Sequence, residues 1–244
     1  MHESNKRLCY LIGSYLLLIL VLLTTAFSKI YWSLSTNLYS VIQEIIPLII
    51  TIVIIGLVHQ KILLEINKPI SIIVIFLLII IAILIIPHLN SDNLITNIFI
   101  LLLASIFEEL YFRGYLLPQL TIIFKNRHKS NYILFSIFIS SIIFGATHVV
   151  NVLSQSPFST FIQIITACIL GVILSIFYLR TRSIIIPIIV HFAFNVSTLS
   201  SAPQSLNNFS TTGIIPIIVY GFIAYLLIRS TTNNHYDLFL NSFV

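Results

Sequence analysis

Eight stretches of almost unbroken apolar residues, separated by short polar connections, decide which solvent this chain folds in. A helix needs about 20 apolar residues to cross a bilayer. The runs are Leu8–Phe27, Val41–Val58, Ile70–Pro87, Leu94–Leu117, Tyr132–Val149, Thr160–Leu179, Ser183–Leu199 and Gly213–Ile228. Inside lipid every backbone N–H and C=O must be satisfied within its own segment, so each run is expected as a helix. Composition agrees: 8% of the 244 residues are charged, against roughly 25% in a soluble domain. That balance excludes a soluble enzyme on a tail anchor. Two distant cysteines, Cys9 and Cys168, with no CxxC pattern, exclude a disulfide scaffold. The expectation is an all-α, polytopic membrane protein of about eight helices. It forms one transmembrane domain over residues 1–244.

The basic residues alternate from one connection to the next. Lys6, Arg7, Lys61, Lys68, Lys125, Arg127, Lys129, Arg180, Arg182 and Arg229 fall on one side, ten of the twelve. Only Lys29 falls on the other, and Arg113 lies inside a run. The positive-inside rule then expects both termini in the cytoplasm. This placement accounts for the net charge of +5 without nucleic acid as a partner; the lipid bilayer is the expected one. The first run is too long for a signal-peptide core and no A-x-A site follows, so it is expected as an uncleaved anchor. Tyr31 and Trp32 suit an outer aromatic belt. His2, His59, His88, His128 and His235 fall in connections or tails.

A charged side chain at the centre of a bilayer costs about 2.5–3.5 kcal/mol or more, so polar groups inside the runs need a reason. Glu44, three residues before Pro47, reads as an interfacial carboxylate near a helix start. The others form a compact set. The fourth run holds Glu108, Glu109 and Arg113; the fifth ends in Phe144 and His148; the seventh holds His191 and Asn195. Glu109 and Arg113 are four apart with the acid first, the favourable order for an intrahelical ion pair. Glu108 lies about 100° round the helix and is left to face a cavity. Phe144 can pack on His148, and His191 and Asn195 reach into one space. This conjunction points to one polar site of motif-bearing residues within about 95–200.

The parts are carboxylates, two imidazoles and an amide, with no HExxH zinc helix. Neither cysteine is near them in sequence. Glu108 can act as general base on a water, and a carboxylate kept from water is better suited to that work at neutral pH. His148 can hold the same water, while His191 and Asn195 can donate to an oxyanion. Equally, Glu108, His148 and His191 can ligate Zn²⁺, which accepts both residue types. Either route hydrolyses an amide with activated water.

These residues match three ordered motifs: EExxxR at Glu108, Glu109 and Arg113, FxxxH at Phe144 and His148, and HxxxN at His191 and Asn195. In that order the chain resembles the CPBP family, the CAAX-protease and bacteriocin-processing (Abi) group of intramembrane proteases. The resemblance implies that Glu108 and His148 activate the water. It further implies that His191 and Asn195 stabilise the oxyanion, and that Glu109 and Arg113 orient the site. The implied substrate is a membrane-embedded or lipidated peptide. In eukaryotic relatives that is a prenylated C-terminus; bacterial relatives are linked to bacteriocin maturation, self-immunity and peptide signalling. An Ile- and Asn-rich composition suits an AT-rich bacterial genome and a bacterial cytoplasmic membrane. The rival readings are a catalytically silent immunity or scaffold protein on the same fold, and a transporter using the buried charges.

One feature resists a simple bundle. Counted from the basic ends at about 1.5 Å per residue, Glu108 and His148 lie roughly 24–26 Å deep and His191 about 12–14 Å. Tilt, a break at Gly114–Pro118, or extension of the fourth and fifth helices beyond the membrane is therefore expected.

Overall fold

In the computed structural model, residues 2–31, 36–66, 68–89, 93–125, 131–197, 211–231, 239 and 243 are described. The helices are α1 (His2–Tyr31), α2 (Thr36–Leu57), α3 (Lys68–Ile85), α4 (Leu94–Glu109), α5 (Leu117–Lys125), α6 (Tyr132–Thr147), α7 (Pro157–Thr181), α8 (Ile185–Ser197) and α9 (Thr211–Ser230). α4 and α5 are not separate rods: a π-helical stretch, Leu110–Leu116, joins them without a break. The described residues thus make eight apolar rods, in register with the eight runs. Five are long and apolar enough to cross a membrane, while α3, α8 and the described part of α9 are shorter. The expected end of the seventh run at Leu199 lies outside the described residues, as do His128 and His235. So do Trp32 and the side chains of Tyr31, Lys29, His2 and His88. His59 is exposed in the turn after α2.

The irregularity in the fourth run has a local cause. Pro118 has no N–H to give to the carbonyl of Gly114, and its ring crowds that carbonyl. The preceding turns widen, and the N–H of Leu117 bonds to the carbonyl of Phe112, five residues back. The whole rod from Leu94 to Lys125 has 32 residues. At 1.5 Å per residue it is about 48 Å long, well beyond a hydrocarbon core of about 30 Å. A rod of that length fits the core only by tilting or by extending beyond it, and either makes a depth counted along its axis from the basic end too large.

α6 and α7 form the centre of the bundle. About half of each is buried, against a tenth to a fifth of α1 and α2. Their close approach depends on small residues. A Cβ on Gly171 would stand 2.9 Å from the Cβ of Ser141, and one on Gly145 would strike the Sγ of Cys168 and the carbonyl of Ile164. The serine hydroxyls in this interior do not go unpaired. Ser141 donates to the carbonyl of Ile137 (2.7 Å) and Ser175 to that of Gly171 (2.7 Å). α9 packs on α7, α3 and α4 pack on α8, and α1 and α2 lie along the α4–α5 side.

One end of the bundle is fastened by the segment between α2 and α3. Leu63 donates its N–H to the Tyr178 hydroxyl (3.1 Å). Glu65 N–H donates to the carbonyl of Arg182 (3.0 Å), and Ile184 N–H to that of Leu63 (2.9 Å). The Glu65 carboxylate also pairs with Arg182 at 2.8 Å. Arg7 donates to Gln119 (3.3 Å), Gln119 to Gln60 (2.7 Å), and Arg180 to the carbonyl of Leu227 (2.8 Å) and the hydroxyl of Ser230 (2.7 Å). The basic flanks of α1, α2, α7 and α9 therefore meet at the same end, as the charge alternation requires.

Candidate active site

The site is assembled where α4 gives way to the π-helical stretch. Arg113 Nη1 donates to Glu109 Oε1 at 2.8 Å, and both residues are completely buried. The expected ion pair is thus present. Its cation also rests on an aromatic face: the guanidinium carbon lies 4.4 Å from the centroid of the Phe144 ring, a cation–π contact that strengthens away from water. Arg113 Nε and Nη2 and Glu109 Oε2 have no hydrogen-bond partner among the described residues. The ring therefore provides the main electrostatic partner on that side of the guanidinium.

α8 brings in the third motif. His191, buried, sets Nδ1 2.8 Å from Glu109 Oε1. Nε2 of the same ring lies 3.5 Å from Glu108 Oε2. An ionised carboxylate only accepts, so the Nδ1 proton is the one directed at Glu109. Glu109 Oε1 accepts from Arg113 and His191 together, and the depth mismatch between α4 and α8 is closed at this point. Glu108 keeps about a fifth of its side chain exposed, unlike its sealed neighbour. Asn195, one turn beyond His191, donates from Nδ2 to the Ser105 hydroxyl at 3.1 Å. That hydroxyl donates in turn to the carbonyl of Leu101 (2.8 Å), which leaves it oriented to receive the amide.

His148 joins through Phe144. Its Nδ1 lies 3.0 Å from the Phe144 carbonyl, which accepts only, so in the neutral ring Nε2 carries the free lone pair. The Phe144 ring meets the His148 ring edge-on at 5.1 Å and the His191 ring at 5.8 Å. One phenyl group thus spaces the two imidazoles and lies against Arg113. His148 also begins a 3₁₀ turn, His148–Leu153, so it sits where α6 changes geometry.

Sequence reasoning left some of this set unread. Glu44 of α2 lies within electrostatic range of Glu108, a neighbour that its place before Pro47 did not reveal. Ser105 carries no motif signal, although its place one turn before Glu108 and Glu109 on α4 put it within reach. Cys168, far from the motifs in sequence, packs on Gly145 beside Phe144. On the far side, Ser14 of α1 lies 3.3 Å from the hydroxyls of both Tyr111 and Tyr115. Tyr15 lies 3.4 Å from Thr147, so α1 braces both motif helices.

The proposed zinc ligands Glu108, His148 and His191 do not form a ligand set. Among the described residues no group of three His, Cys, Asp or Glu is arranged to hold a metal ion. Nδ1 of His148 is directed at its own helix, which leaves Nε2 as its donor atom, and His191 is engaged by the two glutamates.

Residues 90–197 match the family model described as type II CAAX prenyl endopeptidase Rce1-like. The matched segment contains every motif residue. Over this segment, less than half of the chain, the protein is similar to the CAAX prenyl endopeptidases, a family of proteases. No curated protein matches the chain.

Proposed function

We propose that this protein is an intramembrane endopeptidase that cleaves a membrane-embedded or lipidated peptide with a water activated by Glu108 and His148. The observation that carries the reading is the position of His191, 2.8 Å from Glu109 and 3.5 Å from Glu108. It draws the first and third motifs into one polar site within an apolar bundle. Glu108, the exposed member of the pair, takes a proton from the water as its oxygen attacks the carbonyl carbon. The lone pair on Nε2 of His148 accepts the water's other hydrogen and orients it. His191, presenting Nε2–H when protonated, and Asn195 Nδ2 stabilise the oxyanion. Glu108 then hands its proton to the leaving amine as the C–N bond breaks. Glu109 and Arg113 hold His191 in orientation and touch no substrate atom.

The test uses purified protein in detergent with a library of membrane and lipidated peptides. Wild type is compared with Glu108→Ala and His148→Ala, each with and without a zinc chelator. Cleavage by wild type alone, indifferent to the chelator, is the expected result. Cleavage lost on chelation and restored by zinc would replace the Glu–His activation with metal chemistry. No cleavage, together with a cellular immunity phenotype that survives both substitutions, would make the chain a silent scaffold.

A further inference from the structure

Away from the motif residues, a cavity of about 580 Å³ opens at the basic end of α1 and α2. Its volume lies within the range of roughly 300–1,000 Å³ typical of ligand sites. Lys6 and Arg7 line one part, Ile54, Leu57 and Val58 another, and the hydroxyl-bearing Tyr10, Ser14 and Tyr115 complete it. Wall residues Leu57 and Tyr10 are 76% and 57% exposed, so the cavity opens between two peripheral helices, with the buried Ser14 and Tyr115 in its inner wall. Lys6 makes no hydrogen bond or ion pair among the described residues, whereas Arg7 is steered by its bond to Gln119. Cations, hydroxyl groups and an apolar wall in one opening suit a ligand with an anionic head and hydrocarbon chains.

We propose that this cavity binds an anionic phospholipid, its phosphodiester headgroup against Lys6 and Arg7 and its acyl chains along Ile54, Leu57 and Val58. Charge complementarity selects this occupant over a zwitterionic lipid, whose added cation would face Lys6 and Arg7. The site also has a route to the motif residues. Ser14, in the cavity wall, lies 3.3 Å from the hydroxyls of Tyr111 and Tyr115 in the π-helical stretch that follows Glu109. Lipid seated there holds α1 against that stretch.

The test measures lipid retention, so it stands whether or not the chain cleaves peptides. The full chain is reconstituted in nanodiscs of phosphatidylcholine alone and in nanodiscs that also contain phosphatidylglycerol, then released and examined by native mass spectrometry. Wild type is expected to retain phosphatidylglycerol in preference to phosphatidylcholine, less so at high salt. Lys6→Ala lowers that retention about fivefold, the scale of one surface cation against an anionic membrane. Lys6→Arg preserves it. Val58→Trp, which fills the apolar wall without touching a charge, displaces the lipid while the helical content by circular dichroism is unchanged. Equal retention of the two lipids overturns the proposal. So does retention unaltered by both Lys6→Ala and Val58→Trp, or displacement of phosphatidylglycerol by a soluble peptide carboxylate, which would give the cavity to a peptide end.

Discussion

Removing Arg113 should damage this protein in a way that a second substitution partly repairs. In Arg113→Met the Glu109 carboxylate stays at 0% exposure and keeps only the His191 contact at 2.8 Å. Breaking a buried pair in this way costs about 3–5 kcal/mol, because one charge is left without its partner. Loss of the guanidinium over Phe144, now 4.4 Å from the ring, adds about 1–2 kcal/mol in a desolvated site. Glu109→Leu combined with Arg113→Met removes both charges and keeps the volume, so it should be far milder than the sum of the single changes. Activity follows a different course. Without Glu109 nothing orients Nδ1 of His191, and the double variant stays inactive although it folds. Reversible unfolding in mixed micelles gives the cycle, and peptide cleavage gives the activity. The reasoning is refuted if Arg113→Met costs less than about 1 kcal/mol, or if the double variant is as unstable as the two single losses added together.

Other substitutions separate packing, fastening and catalysis. Gly145→Ala drives a methyl group into Cys168 and the Ile164 carbonyl and should cost about 1–3 kcal/mol as an overpacked contact, read in the same unfolding assay. Tyr178→Phe strips the Leu63 N–H of its acceptor, 3.1 Å away, and should cost about 1–3 kcal/mol, with faster backbone hydrogen exchange at Leu63. Asn195→Ala should lower kcat by about 10²–10³, whereas Ser105→Ala, which only releases the amide from its rest position, should lower it much less; steady-state cleavage distinguishes them.

Periodicity and charge made much of the architecture legible. Length and apolarity specify the helices, and they need no knowledge of what each one touches. The Glu109–Arg113 pair was equally readable, since a four-residue spacing fixes both ends on a single element. Contacts between elements were not. Nothing in the spacing of the third motif says that His191 Nδ1 goes to Glu109, leaving Nε2 toward Glu108, because that depends on how α8 is seated. Nor does the sequence say that Asn195 donates to Ser105, an ordinary helix serine with no pattern of its own. The distortion near Gly114–Pro118 was foreseeable from proline's missing N–H, but its form, a widened helix rather than a break, was not. The segment after α2 looked like a plain connection, and its bonds to Tyr178 and Arg182 join residues more than a hundred positions apart.

The central claim is that Glu108 performs the proton transfer in a site built from three helices. The measurement that tests it most directly is the cleavage rate of a lipidated or membrane peptide by Glu108→Gln, on protein whose unfolding matches wild type. Glutamine keeps the shape of the side chain and removes only the ability to take a proton. A fall of about 10²–10⁴ in kcat, the usual contribution of general-base catalysis, is the predicted result. Cleavage within a few-fold of wild type would contradict the account and leave Glu108 a structural neighbour of His191.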